Sequence, residues 1–293
     1  MSANRHKGPA PPALEVGVDI GGTWLRMLAL RGGRRVASVA VPATGLREVE
    51  KFFPTVWKPR GWTHRDVATL VVASHGIWTA RERRALAHRL QGMARRVVVL
   101  SDAQAALLGA LGTRPGVLVL SGTGSIVVGR DAKGRWERAG GLGPLLGDEG
   151  SAFWLGREWL RATTRGEDFP PLRRLVHAQN PVARIAALAP AVVRRARRGH
   201  RRARAIVTTG QAHLAALVAD VARRLRLPPP IAISWAGSVL RDEWFRAGLR
   251  RAVAQAGLRA RWVAPAEEPV VAAARLAGRL ALPPVTPTRM KRR

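Results

Sequence analysis

A chain of 293 residues that is 47% hydrophobic carries enough apolar material for about two domains of ordinary size. It has no cysteine, which excludes disulfides, thiolate zinc sites, iron–sulfur clusters and thiol nucleophiles. The formal charge of +31 ordinarily points toward nucleic acid, but lysine occurs only at positions 7, 51, 58, 133 and 291. All other basic residues are arginine, spread through nearly every expected helix, so the charge reads as a compositional bias and no specific nucleic-acid partner is expected.

In chain order, Met1 to Pro12 is polar and proline-rich and lacks the apolar core of a secretory signal, so a frayed tail on a soluble, cytoplasmic chain is expected. Ala13 to Val41 reads as three extended segments: Glu15 to Ile20 alternates, Gly21-Gly22 breaks it, and Trp24 to Leu30 and Arg35 to Val41 resume it. Such a run forms an antiparallel meander. A helix near Leu46 to Trp57, a strand Thr69 to Ala73, a helix Thr79 to Gly92 and a strand Arg96 to Leu100 follow, and their alternation argues for parallel additions to the same sheet.

The order then restarts with a strand Gly116 to Leu120, a glycine turn Ser121 to Ser125, a strand Ile126 to Arg130 and a hairpin-like Asp131 to Gly134. A long helical region spans Ser151 to Leu225, with breaks expected around Phe169-Pro170-Pro171, Asn180-Pro181 and Gly199. Its apolar stretch Ile185 to Val193 is far short of the ~20 residues that cross a bilayer, and arginines follow at once, so no membrane partner is expected. The chain closes with a strand Ile231 to Trp235, a helix Arg241 to Ala256, a strand Arg261 to Val263, a helix Glu268 to Leu280 and a basic tail Pro283 to Arg293. Two halves that open alike imply a duplicated α/β fold with a cleft between lobes, residues 13–113 and 114–293, the last helix packing back on the first lobe.

The first turn, Asp19-Ile20-Gly21-Gly22-Thr23, lies between two strands, so it is neither a dinucleotide-binding nor a Walker loop, whose glycines open a helix. Glycines still let backbone N–H groups approach a phosphate closely, and Thr23 adds a donor. An acid at Asp19 beside a phosphate makes sense only with Mg²⁺ and its water shell between them; otherwise it is an ordinary exposed hairpin residue. The second turn, Gly122-Thr123-Gly124-Ser125, repeats the pattern, and two such hairpins can clamp a triphosphate. Asp102, at a strand end and a helix start, is a helix cap or a general base; Ser101 could take the cap alone. A shaped glycine-rich loop runs from Gly140 to Ala152 and contains Gly141, Asp148, Glu149 and Gly150.

The ordered set Asp-x-Gly-Gly-Thr, Asp102-Ala103, Ser-Gly-Thr-Gly-Ser and Gly147-Asp148-Glu149-Gly150-Ser151-Ala152 resembles the N-acetylglucosamine kinase branch of the actin-like ATPase superfamily, the BadF/BadG/BcrA/BcrD ATPase family. The resemblance covers Glu15 to Leu280 and implies the two-lobed, ribonuclease H-like fold and an ATP- and Mg²⁺-dependent kinase acting on an amino sugar. It also implies the roles. Asp102 is the base and Asp19 holds the Mg²⁺ water shell. Gly21, Gly22, Thr23 and Gly122 to Ser125 face the phosphates, and Gly237-Ser238 resembles the adenosine turn. Ser74, His75, Gly141, Asp148, Glu149 and Gly150 lie on the sugar side.

Two departures concern the sugar. Leu142 stands where these kinases often carry tryptophan, and Ser74-His75-Gly76 replaces a segment that is usually small and glycine-rich. His75 can bind substrate or be structural. Relatives that activate dehydratases hold an iron–sulfur cluster on cysteines, which this chain lacks. A non-catalytic sugar or nucleotide sensor is the other alternative, against which Asp19 and Asp102 argue. A homodimer is compatible with this kind of fold.

Overall fold

The computed structural model describes residues 12–21, 24–43, 46, 49–165 and 169–281. Nearly all of the expected N-terminal tail, and the whole basic C-terminal tail, lie outside the described residues.

Among the described residues, ten strands and ten α-helices run in chain order. They begin with β1 (Leu14–Ile20), β2 (Trp24–Arg31), β3 (Arg34–Pro42), α1 (Val49–Trp57), β4 (Val67–Ser74), α2 (Ala80–Arg89), β5 (Arg96–Ser101) and α3 (Asp102–Leu111). They continue with β6 (Gly116–Ser121), β7 (Ser125–Arg130), β8 (Trp136–Gly140), α4 (Ala152–Thr163), α5 (Phe169–Val176), α6 (Pro181–Ala186) and α7 (Ala189–Arg197). The last are α8 (Arg201–Leu225), β9 (Ile231–Ala236), α9 (Glu243–Gln255), β10 (Ala260–Trp262) and α10 (Pro269–Ala281). The chain divides into two units, one up to Ala105 together with the segment from Glu267 onward, the other Ala106–Ala266.

The first unit is built on a five-stranded sheet of order β3-β2-β1-β4-β5. β1, β2 and β3 form the antiparallel meander, and β4 and β5 add parallel to β1. β1 and β4 are buried along nearly their whole length because helices cover both faces. On one face Val16, Val18, Leu70 and Val72 join Phe53, Val56 and Trp57 of α1 in a single core. On the other, Val71, Leu28 and Leu30 pack against Val270, Ala273, Ala274 and Ala277 of α10. Gly17 makes that second contact close: a Cβ there would overlap the backbone of Ala274. α2 starts with a full capping box, Thr79 and Glu82 each bonding the other's backbone.

The second unit repeats the plan, with order β10-β9-β6-β7-β8, an antiparallel β6-β7-β8 meander and β9 and β10 added parallel to β6. This is the duplicated α/β fold read from the sequence. Its core joins Val117, Val119, Val127 and Ile233 of the sheet to Val207, Leu214, Val218 and Val221 of α8 and Phe245 and Leu249 of α9.

The structure refines the expected elements in four places. Beyond the hairpin-like Asp131 to Gly134, the mixed polarity of Trp136-Glu137-Arg138-Ala139-Gly140 hides an edge strand, β8, that pairs with β7. The break expected around Phe169-Pro170-Pro171 falls just before it: α4 ends at Thr163 and α5 starts at Phe169, its prolines tolerated because first-turn N–H groups need no helical partner. A further break falls between α6 and α7, at Ala187-Leu188. Finally, α8 is, among the described residues, a helix long and apolar enough to span a bilayer. It begins with Arg201, Arg202 and Arg204, and it buries Ala203, Val207, Leu214, Val218 and Leu225 in the core of its own unit.

Candidate active site

In the first unit the parallel strands β1, β4 and β5 end in register: Ile20 pairs with Ser74, and Ser74 with Ser101. Ligands of α/β sheets collect at such carboxyl ends. The Gly21 N–H closes the β1–β2 turn on the Trp24 carbonyl at 2.9 Å; Gly22 and Thr23 of that turn lie outside the described residues. The His75 N–H donates to the Ile20 carbonyl at 2.9 Å, and the buried Ser74 hydroxyl donates to the His75 carbonyl at 3.1 Å, so the β4 exit is tied to the end of β1.

The cap of α3 decides what Asp102 is free to do. The Gln104 N–H donates to Ser101 Oγ at 3.1 Å, and Gln104 Oε1 accepts the Ser101 N–H at 3.0 Å. This reciprocal pair is a capping box, so Ser101 caps the helix and Asp102 does not have to. Asp102 Oδ1 accepts the Ala103 N–H at 2.7 Å, and Oδ2 lies 3.3 Å from His75 Nδ1. The Asp102 side chain keeps 33% of its surface exposed, enough for a ligand to reach it.

Asp19, by contrast, is buried near the end of β1. Burial, with smaller contributions from the Asp102 and Glu268 charges and opposed by Arg26, pushes its pKa from 3.8 up to about 6. Arg26 is its cross-strand partner on β2, and Glu268 precedes α10. Three carboxylates against one arginine leave a surplus of negative charge at the strand ends.

In the second unit, three loops converge. The Gly122 N–H donates to the Gly124 carbonyl at 2.9 Å, closing the β6–β7 turn. The Ser121 hydroxyl donates to the Gly150 carbonyl at 2.9 Å, the Ser125 hydroxyl to the Glu149 carbonyl at 2.8 Å, and the Gly141 N–H to the Ser125 carbonyl at 3.0 Å. The Ala152 and Phe153 N–H groups of α4 donate to the carbonyls of Gly122 and Thr123 at 2.8 and 3.2 Å. The turn is thus stitched to the glycine loop and to the first turn of a helix that Ser151 caps. Asp148 holds a left-handed φ of 60°, its carbonyl accepts the Ser151 N–H at 3.0 Å, and its carboxylate leans on Gly124, where a Cβ would sit 2.6 Å from Oδ2. Gly237, at φ 97°, abuts the same turn so closely that a Cβ would overlap the Ser121 carbonyl. Thr123 and Ser238 are exposed, while Ser125 is buried.

The structure therefore gathers Asp19, Gly21, Ser74, His75 and Asp102 in one unit, and Gly122 to Ser125, Gly141, Asp148 to Gly150, Gly237 and Ser238 in the other. Three contributors escape a reading of the sequence. Gln104 carried a signal, as the fourth residue of a Ser-x-x-Gln box. Arg26 and Glu268 carried none, since strand pairing and the return of α10 bring them near Asp19.

The sequence profile of the BadF/BadG/BcrA/BcrD ATPase family matches residues 16–277. An N-acetylmuramic acid/N-acetylglucosamine kinase from Clostridium acetobutylicum is 41% identical over 80 residues, 27% of this chain and 26% of that protein. An N-acetyl-D-glucosamine kinase from Dictyostelium discoideum is 43% identical over 53 residues, 18% of this chain and 17% of that one. The matched stretches therefore span 26% and 17% of these relatives' lengths. Among solved structures, a candidate N-acetylglucosamine kinase from Porphyromonas gingivalis superposes with a TM-score of 0.69 at 18% identity, covering 91% of this chain and 99% of that one. A ROK family glucokinase from Streptomyces griseus, in complex with glucose and AMPPNP, gives 0.53 at 18% identity over 91% and 100%. Identities this low establish a common fold.

Proposed function

The chain belongs to the BadF/BadG/BcrA/BcrD ATPase family, and from that membership we propose that it is an ATP-dependent kinase transferring the γ-phosphate to a hydroxyl of an amino sugar such as N-acetylglucosamine or glucosamine. The observation that carries the reading is Asp102: a carboxylate at the carboxyl end of the sheet, relieved of capping by Ser101 and partly open to solvent.

Phosphoryl transfer passes through a loose transition state, so the protein's work is to align the hydroxyl, offset charge and exclude water. Asp102 orients the sugar hydroxyl and takes its proton as the oxygen attacks the γ-phosphorus. Thr123 and the glycine backbone of the β6–β7 turn meet the phosphates; Ser125 holds that turn in shape through Glu149. Gly237 and Ser238 take the adenosine end, with Gly237 setting the turn against Ser121. Asp148 props Gly124, and with Gly141, Glu149 and Gly150 it serves the sugar from the second unit; Ser74 does so from the first.

The acidic surplus around Asp19 fits a divalent cation: Asp19, Asp102 and Glu268 face one arginine, and a buried carboxylate held near a pKa of 6 gains from any positive charge beside it. Among the described residues no three His, Asp or Glu side chains are grouped to coordinate a metal directly, which fits Asp19 holding Mg²⁺ through water. Bound there, Mg²⁺ would neutralise charge developing on the phosphates. An enzyme of this kind works where ATP is made available, in the cytoplasm.

The test is ADP release from Mg-ATP by the purified protein with a panel of amino sugars and their neutral parent hexoses. Release that depends on N-acetylglucosamine or glucosamine supports the reading. Release no greater with any amino sugar than with none refutes it.

A further inference from the structure

We propose that His75 is a positioning residue for Asp102. Its Nδ1–H donates to Asp102 Oδ2 and, with the Ala103 N–H on Oδ1, holds the carboxylate in one rotamer. The proposal deepens the kinase reading and rests on Asp102 as the base.

Three observations carry it. The His75 ring nitrogen and the Ala103 N–H meet different oxygens of the same carboxylate, at 3.3 Å and 2.7 Å, so apart from the symmetric flip of the carboxylate no rotamer change keeps both contacts. The His75 backbone is itself fixed on both sides, its N–H on the Ile20 carbonyl at 2.9 Å and its carbonyl under the Ser74 hydroxyl at 3.1 Å. And the His75 side chain is 68% exposed, so it fills no core and its packing contributes little. An exposed contact of this kind adds little to stability, so its value lies in geometry. Each carboxylate oxygen accepts two hydrogen bonds, which leaves Oδ2 a lone pair for the sugar hydroxyl. A base must come within hydrogen-bond reach of the proton it takes, and a misplacement of about 1 Å costs up to ~10²-fold in rate. The Asp19 charge lies close enough to interact with that of Asp102, and the two carboxylates repel.

Two substitutions separate the donor from the ring. His75→Asn keeps an N–H₂ donor at the δ position; His75→Phe keeps a ring and removes the donor. With Mg-ATP and N-acetylglucosamine, His75→Phe should lower kcat about tenfold with sugar and ATP KM within twofold, while His75→Asn stays within about threefold of the unmodified enzyme. Placed on Asp102→Asn, His75→Phe should cause no further loss. A sugar KM raised about tenfold at constant kcat, or losses that multiply in the double variant, would overturn the positioning role. Nitrogen NMR of the imidazole tests the contact without any turnover. Neutral His75 should be the Nδ1–H tautomer in the unmodified protein and shift toward Nε2–H in Asp102→Ala. An identical tautomer in both would overturn the proposal whatever the kinase assay gives, whereas an inactive protein with the expected shift would count against the kinase reading alone.

Discussion

Replacing Asp19 by asparagine should make the unliganded protein more stable while removing its activity. Asp19 titrates near 6 in the fold and at 3.8 when unperturbed, because burial and the Asp102 charge disfavour its ionised form. A raised carboxylate pKa means that the fold binds the proton more tightly than the unfolded chain. The associated stability is fully present below pH 3.8 and is lost as pH rises through 6. Above pH 7 the fold carries a buried charge that costs about 3 kcal/mol, from roughly two pH units at 1.36 kcal/mol each. Asparagine carries no such charge. Urea titrations followed by tryptophan fluorescence, with Trp57 reporting on the first unit's core, should show Asp19→Asn more stable by about 2–3 kcal/mol at pH 7.5 and by almost nothing below pH 4. Added Mg²⁺ should narrow the gap by stabilising the unmodified protein alone. A variant no more stable than its parent at pH 7.5, or a difference that does not change with pH, would refute the reasoning.

Ser101→Ala removes the acceptor for the Gln104 N–H and should cost about 1 kcal/mol of stability; because it loosens the turn that carries Asp102, kcat should fall with little change in KM, whereas unchanged unfolding would show that another group caps α3. Gly237→Ala puts a Cβ into the Ser121 carbonyl at a left-handed φ, a strain on the order of 1–3 kcal/mol or more. It should raise the ATP KM at least tenfold while leaving sugar KM nearly unchanged, and wild-type nucleotide affinity in this variant would place adenosine elsewhere.

Much of the fold was legible because its signals are local. The alternation in Glu15 to Ile20, the apolar runs of β4, β5 and β6, and the glycine turns between strands each reflect a period of two or a backbone need within a few residues. The repeat of strand, glycine turn, strand is itself the local signature of the duplication. What stayed hidden depends on partners distant in sequence. β8 reads as polar because only one of its edges is paired. α5 opens with two prolines, which sequence rules treat as breakers although the first helical turn accepts them. For the site, residue identity marked Asp102 and the glycine loops, but not that Ser125 spends its hydroxyl on Glu149, that Asp148 leans on Gly124, or that Glu268, from the returning segment, helps raise the pKa of Asp19.

The central claim, that Asp102 activates a sugar hydroxyl toward ATP, is tested most directly by following the label from [γ-³²P]ATP into N-acetylglucosamine with the unmodified protein and with Asp102→Asn. Label should pass to the sugar with the first and fall ~10²–10⁴-fold with the second, at similar KM for ATP. Transfer by Asp102→Asn within a few-fold of the unmodified rate would contradict the account.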